Sequence, residues 1–214
     1  MTLESALPWL SLAAAVGAGI ARPGRSGRLE AGLRVLAFGA LAVFAYFRWL
    51  APAAIPLALT LETIGQAVLP WRGARQRRLA SAFPIAGWLV LTQLFWSSGD
   101  GRLGVFTDAA KAALLVALLL GVGLGLRRIW PRAERPRLGI AVAAGALMLM
   151  AAMALTLDWG LWPALIGAFA ILVSQALLAD ETPDRAAAMG GWARRASWAL
   201  AYAGYAAVAY AFMR

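Results

Sequence analysis

Residues Leu103–Arg137 read LGVFTDAAKAALLVALLLGVGLGLRRIWPRAERPR. From Leu103 to Leu126 the stretch is almost wholly apolar, and the 11 residues that follow carry five Arg. A helix rises about 1.5 Å per residue and a bilayer core is about 30 Å thick, so roughly 20 apolar residues cross it. A span that runs into an Arg cluster also carries an orientation, because basic residues collect in short cytoplasmic loops.

The same pattern recurs along the 214 residues, of which 62% are apolar and 14% charged. Eight apolar stretches are predicted as spans: Ala6–Ala21, Leu33–Leu50, Ile55–Leu69, Leu79–Trp96, Leu103–Leu126, Leu138–Leu157, Leu161–Ala179 and Ser197–Phe212. Pro, Gly and Asp punctuate the joints, as in Pro70-Trp71-Arg72-Gly73 and Ser98-Gly99-Asp100-Gly101. The first stretch is preceded by Glu4 rather than by a basic residue, so it reads as a retained helix and not a cleavable signal. The predicted fold is an all-α, polytopic membrane bundle of eight transmembrane helices in one domain, 1–214.

Sixteen of the 20 basic residues follow spans one, three, five and seven, and only Arg48, Arg102, Lys111 and Arg214 fall on the other side. This asymmetry places the odd loops in the cytoplasm and both termini outside, as in a bacterial inner-membrane protein. The net charge of +10 is thereby explained without nucleic acid. The basic residues sit in short loops beside Trp49, Trp71, Trp96, Trp130, Trp159 and Trp192, where amphipathic rings settle at a membrane interface. No nucleic-acid partner is expected; a membrane lipid is.

There is no Cys and no His. That excludes disulfides, iron–sulfur clusters, His-based metal sites and nucleophiles activated by His, so neither metal nor cofactor is expected. Any chemistry falls to carboxylates, hydroxyls, amides or Arg.

Gln66-Ala67-Val68-Leu69 closes span three and Gln175-Ala176-Leu177-Leu178 closes span seven, 109 residues later. Two readings are open: a parallel four-plus-four repeat of 1–100 and 103–214, or a chance match in an Ala/Leu-rich chain. Polar residues at depth are few. Glu62 and Gln66 share one face of span three, Gln93 lies in span four, Ser174 and Gln175 in span seven, and Tyr202 and Tyr205 in span eight. A carboxylate in a span costs about 2.5–3.5 kcal/mol on insertion scales, so Glu62 must be partnered, protonated or wet. The amides and hydroxyls serve equally as interhelical glue. Asp108 with Lys111 reads as a helix-end ion pair, and Asp158 as a turn or N-cap residue. Gly121-x-x-x-Gly125 is a close-approach motif through which a second copy could pair; oligomeric state is open.

Gly65-Gln66 with the aromatic-rich fourth span, Gly167-Ala168 leading to Ser174-Gln175, and Ala203-Gly204-Tyr205 in the last span together resemble the YhhN family. These are eight-span lysoplasmalogenases that cleave the vinyl-ether bond of lysoplasmalogen to release a fatty aldehyde. The likeness covers nearly the whole chain in length and spacing. Where the family carries Gly-Asp and Ser-Asp, this chain has Gln66 and Gln175, and Gly87 or Trp88 stands where a fourth-span His is common. The resemblance implies a hydrolase of lysolipid ether bonds. Glu62, one turn before Gln66, would supply the proton, and Gln66, Gln93, Ser174, Gln175 and Tyr205 would line the substrate pocket. Because Gln66 and Gln175 both lie near the cytoplasmic end, spans three and seven are expected to lean together around a cavity facing the cytoplasmic leaflet. The alternatives are a non-catalytic binder of lysolipid or aldehyde, and a small transporter built on the repeat.

Overall fold

In the computed structural model the described residues are 3–20, 27–48, 51–68, 74–99, 104–129, 137–179 and 192–213. Eight long helices account for most of them: α1 Leu3–Ile20, α2 Gly27–Phe47, α3 Ala54–Val68, α4 Ala74–Ser98, α5 Ala109–Ile129, α6 Arg137–Ala154, α7 Trp162–Ala179 and α8 Trp192–Phe212. A single helical turn, Gly104–Thr107, precedes α5, and a 3-10 turn, Trp159–Leu161, precedes α7. No strand occurs among the described residues.

Each predicted span corresponds to one helix, but α2, α4 and α8 each begin five or six residues before the apolar run. The extra turns hold Arg and Ala, which favour helix wherever the backbone can continue. The fifth differs in the other direction. Its helix starts at Ala109 because Asp108 caps it, accepting from the backbone N–H of Ala110 (2.9 Å) and Lys111 (3.3 Å).

Neighbours in sequence pack together along α1, α2, α3 and α4; α4 packs on α6, and α7 packs on α8 over most of its length. The closest approaches lie at glycines. A Cβ on Gly65 of α3 would stand 2.9 Å from Pro84 Cδ of α4, and one on Gly87 3.3 Å from the Ala58 carbonyl. At the α7–α8 crossing, a Cβ on Gly167 would be 2.5 Å from the Gly204 carbonyl oxygen. α8 also touches α1, α2 and α3, which makes it the central helix. Two hydrogen bonds tie it to α1: Trp198 Nε1 donates to the Ala15 carbonyl (2.9 Å), and Tyr202 meets Ser11 (2.7 Å). The single Ser11 proton goes to the Ala37 carbonyl of α2 (2.7 Å), so Tyr202 is the donor to Ser11. Tyr202 is thus a tie among three helices.

α5 packs only lightly, on α6. Its outer face leaves Leu120 61% and Leu124 66% exposed, and no described residue lies within 4 Å of a Cβ on Gly121 or Gly125. Continuous apolar exposure of this kind is compatible with a helix whose outer face meets hydrocarbon. Among the described residues, three stretches are long and apolar enough to cross a membrane: Arg28–Phe47, Ala109–Arg127 and Trp159–Leu178. Of the interfacial Trp residues, Trp96, Trp159 and Trp192 are exposed, while Trp49, Trp71 and Trp130 lie outside the described residues.

The expected Asp108–Lys111 ion pair gives way to a latch. The Lys111 ammonium donates to the Leu157 carbonyl (2.6 Å) and lies 5.4 Å from the centre of the Trp159 ring, while Trp159 Nε1 donates to Asp108 Oδ2 (2.8 Å). The backbone carbonyl holds the cation directly, and an ion pair with a solvent-exposed carboxylate would add little to that bond. Asp158 occupies the N-cap position as expected, with extended backbone and its carbonyl accepting from Leu161 (2.9 Å); its side chain makes no capping bond. The Trp159 hydrogen bond, then the Lys111 amide, hold the Asp108 carboxyl below its ordinary value. A depressed folded value means that Asp108 stabilises above the ordinary carboxylate range and loses that contribution as pH falls through it. Melting temperatures of wild type and Asp108→Asn should therefore differ at neutral pH and converge in acid; a gap that persists in acid would dismiss the latch.

Candidate functional site

α3 turns one face inward, burying Ile55, Ala58, Leu59, Glu62 and Gly65. Because Ala58 and Gly65 let α4 come close, Glu62 is carried into the interior with its helix, and only 4% of it is exposed. Both carboxyl oxygens are engaged. Gln66 Nε2, one turn on, donates to Oε1 (2.8 Å), and the Tyr205 hydroxyl of α8 donates to Oε2 (3.1 Å). Burial of an acid is tolerable only with such partners.

Around this pair stand three further groups. Trp88 of α4 is 4% exposed; its indole lies beside the Tyr205 hydroxyl, and its N–H has no hydrogen-bond partner among the described residues. Gln66 Oε1 is likewise buried and unpartnered among them. Arg34 of α2 interacts electrostatically with Glu62 while bonding Glu30 directly (2.6 Å). Behind Tyr205 an aromatic stack continues toward Arg34. Phe38 meets both Tyr205 and Trp198 edge-on at 5.3 Å, and the Arg34 guanidinium lies 4.8 Å from the Trp198 ring centre. What results is a buried acid with a hydroxyl and an amide on it, a spare donor and a spare acceptor close by, and a cation at the far end of an aromatic wall.

Of the six predicted site residues, Glu62, Gln66 and Tyr205 come together. Gln93 does not: it lies exposed on the outer face of α4, one and a half turns beyond Trp88. Ser174 is buried, but its hydroxyl donates to Ile171 of its own helix (2.6 Å) and its carbonyl accepts from Ser197 of α8 (2.8 Å). Gln175 is half-buried beside it. The expectation that spans three and seven lean together is corrected: α3 and α7 make no extensive contact, and α8 is the helix that meets both. The reason is the Gly167–Gly204 crossing, which draws α8 onto α7 and puts Tyr205, the next residue, between Ser174 and Glu62 in the packing order.

Arg34, Phe38, Trp88 and Trp198 were missed as site residues. By charge count Arg34 belongs with the loop cations, but it lies within α2, and Glu30-x-x-x-Arg34 is the i,i+4 pair that signals a helix there.

Comparison of the chain with known protein families, with curated proteins and with solved structures finds no match in any of the three.

Proposed function

We propose that this chain is an eight-span inner-membrane protein of YhhN type, with both termini outside the cytoplasm, that hydrolyses the vinyl-ether bond of lysolipids. Glu62 is the proton donor. The observation that supports this reading is the Glu62 carboxyl group itself: buried, held on one oxygen by Gln66 and on the other by Tyr205. Vinyl-ether cleavage asks for one such acid. The proton of the Glu62 carboxyl goes to the β-carbon of the vinyl ether and leaves an oxocarbenium ion. Water adds to that cation and returns a proton to the carboxylate. The hemiacetal then breaks its bond to the glycerol oxygen, which takes the hemiacetal proton, and the fatty aldehyde departs. Gln66 and Tyr205 fix the carboxyl group in one orientation.

Purified protein is expected to release aldehyde from a 1-alkenyl lysophospholipid, and none from the saturated 1-alkyl ether, which cannot be protonated on carbon. Absence of aldehyde from the alkenyl lipid ends the hydrolase reading. A second reading, lysolipid binding without cleavage, is favoured by the amides at 66 and 175 and by the engagement of Ser174 with its own helix. It is recognised by thermal stabilisation with lysolipid and no aldehyde.

A further inference from the structure

The Gln66 amide has two polar ends, and only one of them is spent on Glu62. Its Nε2 donates to Glu62 Oε1 at 2.8 Å, while its own Oε1 is buried with no hydrogen-bond partner among the described residues. The oxygen and nitrogen of a primary amide are about 2.3 Å apart by covalent geometry, so Gln66 Oε1 lies no more than about 5 Å from Glu62 Oε1. Both atoms are acceptors, and a carboxyl oxygen accepts twice, so the bond from Nε2 leaves room for another donor. Two acceptors at this separation are spanned by one molecule that donates twice. Water does so with its two O–H bonds and keeps its lone pairs free. Neither the alkenyl chain nor the ether oxygen of a vinyl-ether lipid has a proton to donate, so the reacting part of the substrate cannot fill the place. Water also has a short way in. α3 ends at Val68, two residues beyond Gln66 and about 3 Å along the axis, and Arg72, Arg75, Arg77 and Arg78 follow in sequence, as at a membrane boundary.

We propose that Gln66 Oε1 and the Glu62 carboxyl group together seat one water molecule, and that this is the water that attacks the oxocarbenium ion. The inference deepens the hydrolase reading and rests on it for the chemistry. Once Glu62 has given its proton to the β-carbon, the cationic α-carbon and the new carboxylate lie side by side. The seated water bonds through its oxygen to the α-carbon. One of its protons passes to the Glu62 carboxylate, which becomes the acid again, and the other stays on the hemiacetal hydroxyl, directed at Gln66 Oε1. Gln66 is thus a positioning residue twice over, holding the acid by Nε2 and the nucleophile by Oε1, as an amide orients the attacking water in GTP-hydrolysing proteins. The two roles separate in heavy water, because a cation that is captured slowly returns a proton to Glu62 and leaves deuterium on the β-carbon of unreacted lipid. After partial hydrolysis in D2O by the wild type, the recovered 1-alkenyl lysophospholipid should carry no deuterium at that carbon. Gln66→Met should release aldehyde about tenfold more slowly, the worth of one lost hydrogen bond, and should return deuterated lipid. Tyr205→Phe loosens the acid without touching the water, so it should slow release and return unlabelled lipid. Gln66→Glu keeps an oxygen in place and should return unlabelled lipid as well. Slow release from Gln66→Met with unlabelled lipid, or release at the wild-type rate, overturns the proposal and leaves Gln66 as a prop for the acid alone. Should Gln66→Met not fold, the wild type still decides. A crystal structure that resolves solvent should hold a water within hydrogen-bond distance of both Gln66 Oε1 and Glu62, and empty density there overturns the seat. A water in that place with no aldehyde from the wild type would instead sink the hydrolase reading and leave the seat as a structural one.

Discussion

Glu62→Gln should lower aldehyde release from a vinyl-ether lysolipid by about a hundredfold or more, within the usual range for removing a general acid. The substitution is nearly isosteric. The carbonyl of the new amide can still accept from Gln66, and its NH2 can donate to Tyr205, which then acts as acceptor, so each polar atom of the pair at 2.8 and 3.1 Å keeps a partner. Melting temperature should therefore change little while turnover collapses, and this separation distinguishes a chemical role from a structural one. Tyr205→Phe leaves the proton in place and removes only its positioning, so its loss should be smaller, about tenfold, and seen mainly in kcat. Equal turnover in wild type and Glu62→Gln would remove Glu62 from the mechanism. Loss of activity together with loss of fold would place it among the bundle's structural polar groups instead.

The helix count was legible because apolar runs near bilayer length, broken by Pro, Gly and Asp, cannot be read in many other ways. Helix starts were less legible. Arg and Ala residues such as Arg28 and Arg194 look like loop by polarity, yet they continue the helix by propensity. The Glu62–Gln66 pair was readable from spacing alone, since residues four apart meet on a helix. Which other helix would face it was not. Ser174-Gln175 echoes the end of span three, but similarity of sequence does not bring two helices together. Packing instead follows backbone approach, which is set by glycines whose importance depends on what lies opposite. Gly121 and Gly125 form the more conspicuous motif and face open space, whereas the isolated Gly167 and Gly204 make the tightest crossing. No periodicity in a single chain separates these two cases. Arg34 was hidden for a related reason: a charge count assigns it to a side of the membrane, not to a ring of α8.

Gly167→Ala and Gly204→Ala should each destabilise the protein by about 2 kcal/mol or more, toward the upper part of the range for overpacking. At each position the shortest contact of the added methyl group would be a backbone carbonyl oxygen rather than a side-chain tip. A Cβ on Gly167 falls 2.5 Å from the Gly204 carbonyl oxygen and 2.9 Å from Val208 Cγ2, and a Cβ on Gly204 falls 2.7 Å from the Gly167 carbonyl oxygen. The two carbonyl contacts are not relieved by a rotamer change, so the two helices must separate. Once one methyl group has parted them, the second costs less, and the double variant should be milder than the sum of the singles. Gly121→Ala is the control: with nothing within 4 Å, it should be neutral or stabilise by up to about 1 kcal/mol through helix propensity. The crossing also bears on the site. Tyr205 follows Gly204, so moving α8 away from α7 shifts the hydroxyl that holds Glu62. Gly204→Ala should consequently lose lysolipid turnover in the fraction that remains folded, which Gly121→Ala should not. Denaturation midpoints in detergent and aldehyde release, measured on the same three variants, check both halves. Wild-type stability in Gly167→Ala and Gly204→Ala would mean that α7 and α8 do not meet at these glycines and that Tyr205 is held against Glu62 by something else.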